Sequence, residues 1–341
     1  MSQASHYPFS TLNPYQRLMF AGLAVHGFSA TGIDNGLRGL IAEARSGCAK
    51  VVHLHWIHGA VTFDKPWGAL ARLSVFHIAI LIARLRGKRI VWTVHNLINH
   101  ERKRGWLDRW NAKLVAREAH AILVHGESAI DVAVAQLGVN KEKIYVVHHG
   151  NYAGVVCPQP PRAPAEGVRF LFFGMIRPYK GVEDLLVAFR QTPGPHELHI
   201  AGKASSGELQ QAIEDYAARD AERVTTELCF VPDGRLQELL GWSDVVVLPY
   251  RDIFTSGSLL MAMTAGRPVV APRAGLIPEY IDGRAAFLYD PNEPNALEYA
   301  IAEAAQCSQL DDMARQAAER AKYFDWSLIG AKLSAIYSGR M

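Results

Sequence analysis

Two stretches of this 341-residue chain carry residue types suited to holding a diphosphate. In Phe172-Phe-Gly-Met-Ile-Arg-Pro-Tyr-Lys-Gly181 an apolar run ends at Gly174, and Arg177 and Lys180 follow three residues apart. Arginine offers paired N–H donors to phosphate oxygens, and lysine a compact positive charge. Thr255-Ser-Gly-Ser258 lies between the apolar run Asp244–Pro249 and the apolar helical stretch Ser258–Ala265. A small-residue loop entering a helix leaves free backbone N–H groups beside the positive end of the helix dipole, which suits an anion without a metal. Thr255, Ser256, Gly257 and Ser258 are therefore candidate diphosphate ligands together with Arg177 and Lys180. For the Arg–Lys pair alone, a solvated basic loop is the alternative. Lys203, after His199-Ile-Ala-Gly202, sits at another strand end as a donor contact or as part of a plain turn.

Acid–base chemistry has three candidates: Asp34, His95 and Glu101. His95 follows the run Arg89–Val94 in Thr93-Val-His-Asn96. An imidazole there could act as a base or orient a hydroxyl near neutral pH, or be a core-edge histidine bonded to backbone. Asp34 lies in Ala30-Thr-Gly-Ile-Asp-Asn-Gly36, and Glu101 follows His100. His53, His55 and His58 invite a metal assignment, since the two-residue strand period puts His53 and His55 on one face. No carboxylate or cysteine nearby in sequence completes a shell. These histidines are expected to line a cleft or to be structural, and neither a metal nor a cofactor is expected.

The elements that must position these residues alternate along the chain. Candidate strands are Val51–His55, Arg89–Val94, Ala121–His125, Ile144–His148, Arg169–Phe173, Glu197–Ala201, Val224–Phe230, Asp244–Pro249 and Pro268–Ala271. Helical patterns lie between them, among them Pro14–His26, Trp67–Arg86, Leu107–Ala119, Gly181–Arg190 and Gly207–Arg219. Short, fully apolar strands separated by helices indicate parallel sheets covered on both faces, an α/β doubly wound architecture present twice. The segment Cys157–Gly167 holds four prolines and continues neither a helix nor a central strand. The expected division is an acceptor-binding domain over 1–152, a linker over 153–167 and a nucleotide-binding domain over 168–324. A last helix near 325–341 packs back on the first domain. Ligands in such folds bind at the carboxyl ends of strands, so the cleft is expected between the halves.

Net charge is +3, far from the balance of a dedicated nucleic-acid binder. Four widely spaced cysteines form no CxxC pair, which speaks against disulfides and a cysteine zinc site and fits a reducing cytoplasm. No GxGxxG or GxxxxGK[ST] motif occurs after a candidate strand, so dehydrogenase and P-loop readings lose their support. Residues 1–9 show no signal-peptide pattern.

In order and spacing the chain resembles the GT-B nucleotide-sugar glycosyltransferases near family 4. The resemblance rests on Asn13-Pro-Tyr-Gln16, His53-Leu-His-Trp56, Thr93-Val-His-Asn96, His148-His-Gly-Asn-Tyr152, Gly174–Gly181, Tyr250–Pro272 and Ile277-Pro-Glu279. Within that group it is similar to bacterial transferases of exopolysaccharide assembly, the xanthan mannosyltransferase type among them. The resemblance implies two Rossmann-like domains facing a central cleft. A GDP- or UDP-sugar donor is held by the second domain and a glycan or lipid-linked acceptor by the first. It also implies that His95 faces the transferred sugar, and that Asn151 and Tyr152, Asp252 and Glu279 contact donor sugar or nucleoside. Family 4 enzymes carry two glutamates eight residues apart. Those positions hold Ile253 and Met261 here, with Asp252 beside the first, so an inverting branch is open.

The expected activity is hexosyl transfer in exopolysaccharide or surface-glycan assembly, without a metal. A non-catalytic sugar-nucleotide-binding subunit and a GT-B epimerase are the alternatives. Helix Trp67–Arg86 and the basic, Trp-containing segment Arg102–Arg109 suggest contact with anionic lipid, so a cytoplasmic protein peripheral to the inner face of the membrane is expected. For the helix, an ordinary core role is the alternative. No nucleic-acid partner is expected.

Overall fold

Strands form where the apolar runs predict them, and every strand pairing is parallel. The structure is a computed structural model that describes residues 2–11, 13–58, 66–96, 105–160 and 166–341. The chain divides into two compact units, Met1–Gly150 with Phe324–Met341, and Asn151–Tyr323.

The first unit carries strands β1 (Ser2–Tyr7), β2 (Phe28–Gly32), β3 (Val51–Leu54), β4 (Arg89–Thr93), β5 (Ala121–Val124) and β6 (Ile144–Val146), in the order β2-β1-β3-β4-β5-β6. Helices α1 (Pro14–Val25), α2 (Leu37–Ser46), α3 (Pro66–Leu85), α4 (Gly105–Glu118) and α5 (Ala129–Leu137) connect them. β1 and β2 were not expected. β1 reads Ser-Gln-Ala-Ser-His-Tyr and lacks an apolar run, yet Ala4–Tyr7 are buried because β1 lies between β2 and β3.

The second unit carries β7 (Arg169–Phe173), β8 (Glu197–Ala201), β9 (Val224–Glu227), β10 (Val245–Val247), β11 (Val269–Pro272) and β12 (Ala286–Tyr289), in the order β12-β11-β10-β7-β8-β9. Its helices are α6 (Val182–Arg190), α7 (Gly207–Ala217), α8 (Asp233–Trp242), α9 (Gly257–Thr264), α10 (Ile277–Tyr280), α11 (Ala296–Gln306) and α12 (Leu310–Lys322). Phe170, Phe172, Leu185, Phe189, Ile200, Val245 and Ile301 anchor the core between sheet and helices. β12, an edge strand of four residues, was also not expected.

The helical stretch after α11 is two helices, α12 and one that starts at Trp326. It breaks at Phe324-Asp325, where the Asp325 side chain accepts a hydrogen bond from Ser327 N (2.7 Å) and caps α13 (Trp326–Tyr337). α13 lies in the first unit and closes its core with Trp326, Ile329, Leu333 and Ile336 against Met19, Leu23 and Phe28. The approach to α1 is close enough to require glycine on both sides. A Cβ at Gly22 would lie 2.1 Å from Trp326 O, and one at Gly330 would lie 2.3 Å from Gly22 O. The first crossing between units falls after Gly150, so Asn151 and Tyr152 belong to the second unit rather than the first.

Candidate functional site

In the second unit the diphosphate candidates converge at the carboxyl ends of β7 and β10. Gly174 ends β7 at φ +109°, where a Cβ would lie 3.4 Å from Ser258 Oγ and 3.7 Å from Lys180 Nζ. Chain positions 174, 180 and 258 therefore meet around one point. Gly202, at φ +149°, lets the end of β8 approach. A Cβ there would lie 1.9 Å from Gly174 O. Ile176 N donates to Lys203 O (2.9 Å), which fixes the two loops together while the Lys203 side chain stays exposed.

Tyr250 joins the lysine to the serine loop. Lys180 Nζ stands 5.2 Å from the centroid of its ring, and its hydroxyl lies 2.9 Å from Ser256 Oγ. Ser256 Oγ also accepts from Leu259 N (3.1 Å), the N-cap bond of α9. Thr255 Oγ1 is buried and makes no hydrogen bond among the described residues. Gly257 is required by Tyr152, whose hydroxyl would lie 2.6 Å from an added Cβ. Arg251 is held by Asp184 through bonds of 2.5 and 2.7 Å, whereas Lys180 has no ion pair among the described residues. Arg177 is half-buried, with Nε directed to Met175 Sδ at 3.2 Å.

The other donor candidates separate. Asp252 is exposed, and Ile253 and Met261 are half-buried. The loop is pinned from behind by the bond from Leu276 N to Phe254 O (3.0 Å). Glu279 is half-buried on the short α10, its carbonyl held by Arg320 Nη2 (2.8 Å). Asn151 is buried and uses its amide on backbone, donating to Ala321 O (3.0 Å) and accepting from Ala153 N (3.2 Å). Its side chain anchors the start of the second unit to α12.

In the first unit the carboxyl ends of β1 and β3 to β6 bring six histidines together. His125 Nδ1 lies 2.8 Å from Val147 O, so this nitrogen carries the proton. His125 Nε2 then accepts from His95 Nδ1 (3.4 Å), His95 Nε2 from His55 Nδ1 (3.1 Å), and His55 Nε2 from His6 Nδ1 (3.0 Å). One backbone carbonyl thus sets the tautomer of four imidazoles in a row. His53 bonds Tyr337 Oη (2.5 Å) and Thr93 Oγ1 (2.7 Å), and His149 Nδ1 bonds Gly150 O (2.8 Å). Tyr15 packs edge-on to His95 (5.0 Å), and Trp56 stacks on it (4.6 Å).

Burial holds these histidines neutral. It lowers His6 and His149 to about 3 and His125 to about 4. Burial and then neighbouring histidines hold His53, His55 and His95 well below the ordinary range.

Of the base candidates, His95 has both ring nitrogens engaged by other histidines. Asp34 is exposed beyond β2, beside a cavity of about 620 Å³ also lined by Thr31, Arg38 and Glu43. Its carboxylate makes no hydrogen bond among the described residues. Three strand spacings separate the ends of β2 and β4, roughly 14 Å, so Asp34 and His95 do not share a proton. Glu101 lies outside the described residues. His58 lies by Asp108, with 3.7 Å between Nδ1 and Oδ1. Sequence reasoning did not single out His6, His125, Tyr15 or Tyr250. His6 had no apolar strand pattern to mark it, and Tyr250 is visible only as the first residue of the stretch Tyr250–Pro272.

Comparison with known proteins places the chain in a family. Residues 167–306 match the family described as Glycosyl transferases group 1, and residues 38–151 match Glycosyltransferase Family 4. The GDP-mannose:glycolipid 4-beta-D-mannosyltransferase of Xanthomonas campestris pv. campestris is 31% identical over 248 residues, 70% of this chain and 67% of that one. The MMP alpha-(1->4)-mannosyltransferase of Mycolicibacterium hassiacum is 26% identical over 277 residues, 74% of this chain and 65% of that one. Among solved structures, Anabaena HepE in complex with UDP and glucose superposes with a TM-score of 0.75 at 19% identity, covering 99% of this chain and 100% of that one. Sucrose-phosphate synthase from Thermosynechococcus elongatus gives 0.75 at 16% identity, covering 99% and 98%. The fold is GT-B. The chain belongs to the GT-B glycosyltransferases of the group 1 and family 4 type, and it is an enzyme of glycosyl transfer.

Proposed function

We propose that this glycosyltransferase moves a hexosyl unit from a GDP- or UDP-sugar to a glycan or lipid-linked oligosaccharide in surface-glycan assembly, with no metal at the diphosphate. The observation that carries this is the meeting of Lys180, Ser258 and Gly174 beside the capped start of α9. In the reaction the acceptor oxygen bonds to the anomeric carbon. The bond from that carbon to the diphosphate breaks, and its electron pair leaves with the diphosphate. Lys180, Arg177 and the N–H groups at the start of α9 stabilise that developing charge. A base takes the acceptor proton. Asp34, with its carboxylate open to the cavity, is favoured for this over His95, whose two ring nitrogens are engaged by His55 and His125. Glu101 is the third candidate. Asp252 and Glu279 serve the sugar and nucleoside, and Lys203 the rim of the donor pocket.

GDP-mannose is the first donor to test, given the name of the Xanthomonas relative. The β linkage in that name, formed from an α-linked sugar nucleotide, supports inversion. So do Ile253 and Met261 where family 4 has glutamates.

The acceptor reading has support on α3. Val75, Ile78, Leu81 and Leu85 are exposed along one face, at 37%, 54%, 52% and 79%. The apolar stretch Gly68–Leu85 is long enough to cross a membrane, but 33% of it is buried. Trp106 and Trp110 of α4 are exposed as well, with Arg109, Lys113 and Arg117 exposed on the same helix. An apolar stripe with tryptophan and basic residues, and no acidic residue on α3, suits an anionic lipid surface and a peripheral position at the inner face of the membrane.

The deciding experiment measures nucleoside diphosphate release from GDP- and UDP-sugars with a lipid-linked acceptor present. Release with one donor that depends on acceptor supports the reading. No release from any donor, by protein that binds GDP or UDP, overturns it.

A further inference from the structure

His6, His53 and His55 form a buried group that the transfer reaction does not use. His6 of β1 is the register partner of His53 in β3, so their rings stand side by side. His55, two residues past His53, shares its face. Ring centroids lie 4.9 Å apart for His6 and His53, 5.4 Å for His6 and His55, and 4.2 Å for His53 and His55. One ring nitrogen of each lies within 4.8 Å of those of the other two. All three residues are buried, at 1% exposure or less.

Two features set this group apart from histidines that merely pack. His6 Nε2 is buried and has no hydrogen-bond partner among the described residues. The tautomer chain that starts at Val147 O leaves it as a bare lone pair, not an N–H. The outer nitrogens are already oriented, His55 Nδ1 by His95 (3.1 Å) and His53 Nδ1 by the Tyr337 hydroxyl (2.5 Å). Partners of this kind fix the rings of metal-bound histidines.

We propose that His6, His53 and His55 form a three-imidazole site for a divalent transition metal such as Zn²⁺, at the carboxyl ends of β1 and β3. Neutral imidazole nitrogens suit Zn²⁺, Cu²⁺, Ni²⁺ and Co²⁺, whereas Mg²⁺ and Ca²⁺ take oxygen donors. Metal–nitrogen bonds of about 2.0–2.1 Å require the donors to close to roughly 4 Å or less, so the His6–His55 bond or the Thr93 contact yields as the ion enters. The ion joins β1 to β3 and, through Tyr337, to α13. It is separate from the diphosphate site, which belongs to the second unit.

The test uses the untagged full chain, stripped with chelator and titrated with Co²⁺ and then Zn²⁺. The expected result is one Co²⁺ per chain with visible ligand-field absorption, displaced by Zn²⁺, and a raised melting temperature. His6→Gln and His55→Gln weaken binding by at least about tenfold. His58→Gln, whose ring faces Asp108, binds as wild type. Absence of stoichiometric uptake by folded protein overturns the proposal, as does uptake unchanged in both site variants. Should the variants fail to fold, X-ray absorption of the cobalt-loaded wild-type chain decides: three imidazole ligands support the site, and one or none overturns it.

Discussion

Lys180 keeps its charge available beside the serine loop, resting on the face of Tyr250, whereas Asp184 neutralises the nearby Arg251. Lys180→Ala is expected to lower kcat about 10²-fold or more, with a melting temperature close to wild type, since the loss falls on charge that develops only as the bond breaks. Steady-state donor turnover and thermal melts on the same preparations check it. A variant with wild-type kcat removes the assigned role. Gly257→Ala tests the same pocket sterically. The new methyl meets the Tyr152 hydroxyl, and the expected cost is about 1–3 kcal/mol in urea unfolding, accompanied by weaker donor binding. Arg177, Lys180 and the serine loop were legible in the sequence because a strand end, small residues and basic side chains are local signals. The role of Asn151 was not. Its amide is engaged by Ala321, a partner 170 residues away that no local pattern announces. The four-histidine chain was hidden for the same reason, since its last member, His6, is brought in only by the pairing of β1 with β3.

At the level of elements, α9 and α3 make opposite demands. α9 is eight residues long and depends on its cap. Ser256→Ala removes the bond to Leu259 N and the contact with Tyr250, and is expected to cost about 1 kcal/mol of stability and to raise KM for the donor more than it lowers kcat. Equal KM in variant and wild type would show that the cap has no part in holding donor. α3 instead presents apolar side chains outward. Ile78→Glu with Leu81→Glu is expected to abolish flotation with anionic vesicles while leaving thermal stability near wild type, because both positions are more than half exposed. Flotation unchanged by the pair rules out this face as the lipid contact. α3 and α9 were legible from their apolar content, but not which side of α3 faces out. β1 was missed because burial between two neighbouring strands, rather than its own composition, makes it a strand.

At the scale of the whole molecule, the buried histidines make the first unit sensitive to acid. Ordinary histidine titrates near 6.5, whereas His6 and His149 stand at about 3 and His125 at about 4. The unfolded chain therefore binds more protons than the folded one between these values, so stability is full above pH 6.5 and falls as pH drops toward 4. Urea midpoints measured at pH 7.5, 6 and 5 are expected to decline in that order, and a constant midpoint contradicts the neutral cluster. The doubly wound architecture was legible from alternating runs, and the proline-rich stretch lies close to the change of unit. The return of the chain has a consequence for its synthesis. The sheet of the first unit and α1 are complete by Gly150, but the helix that covers Met19, Leu23 and Phe28 is made only after the second unit. At about 5–20 residues per second the ribosome needs roughly 10–35 s to add the intervening unit, and throughout that time the nascent first unit shows an open apolar groove. The chain thus carries its own vulnerable interval for chaperone capture or misassembly, and it ends when the final turns of α13 emerge and seat Trp326 beside Gly22.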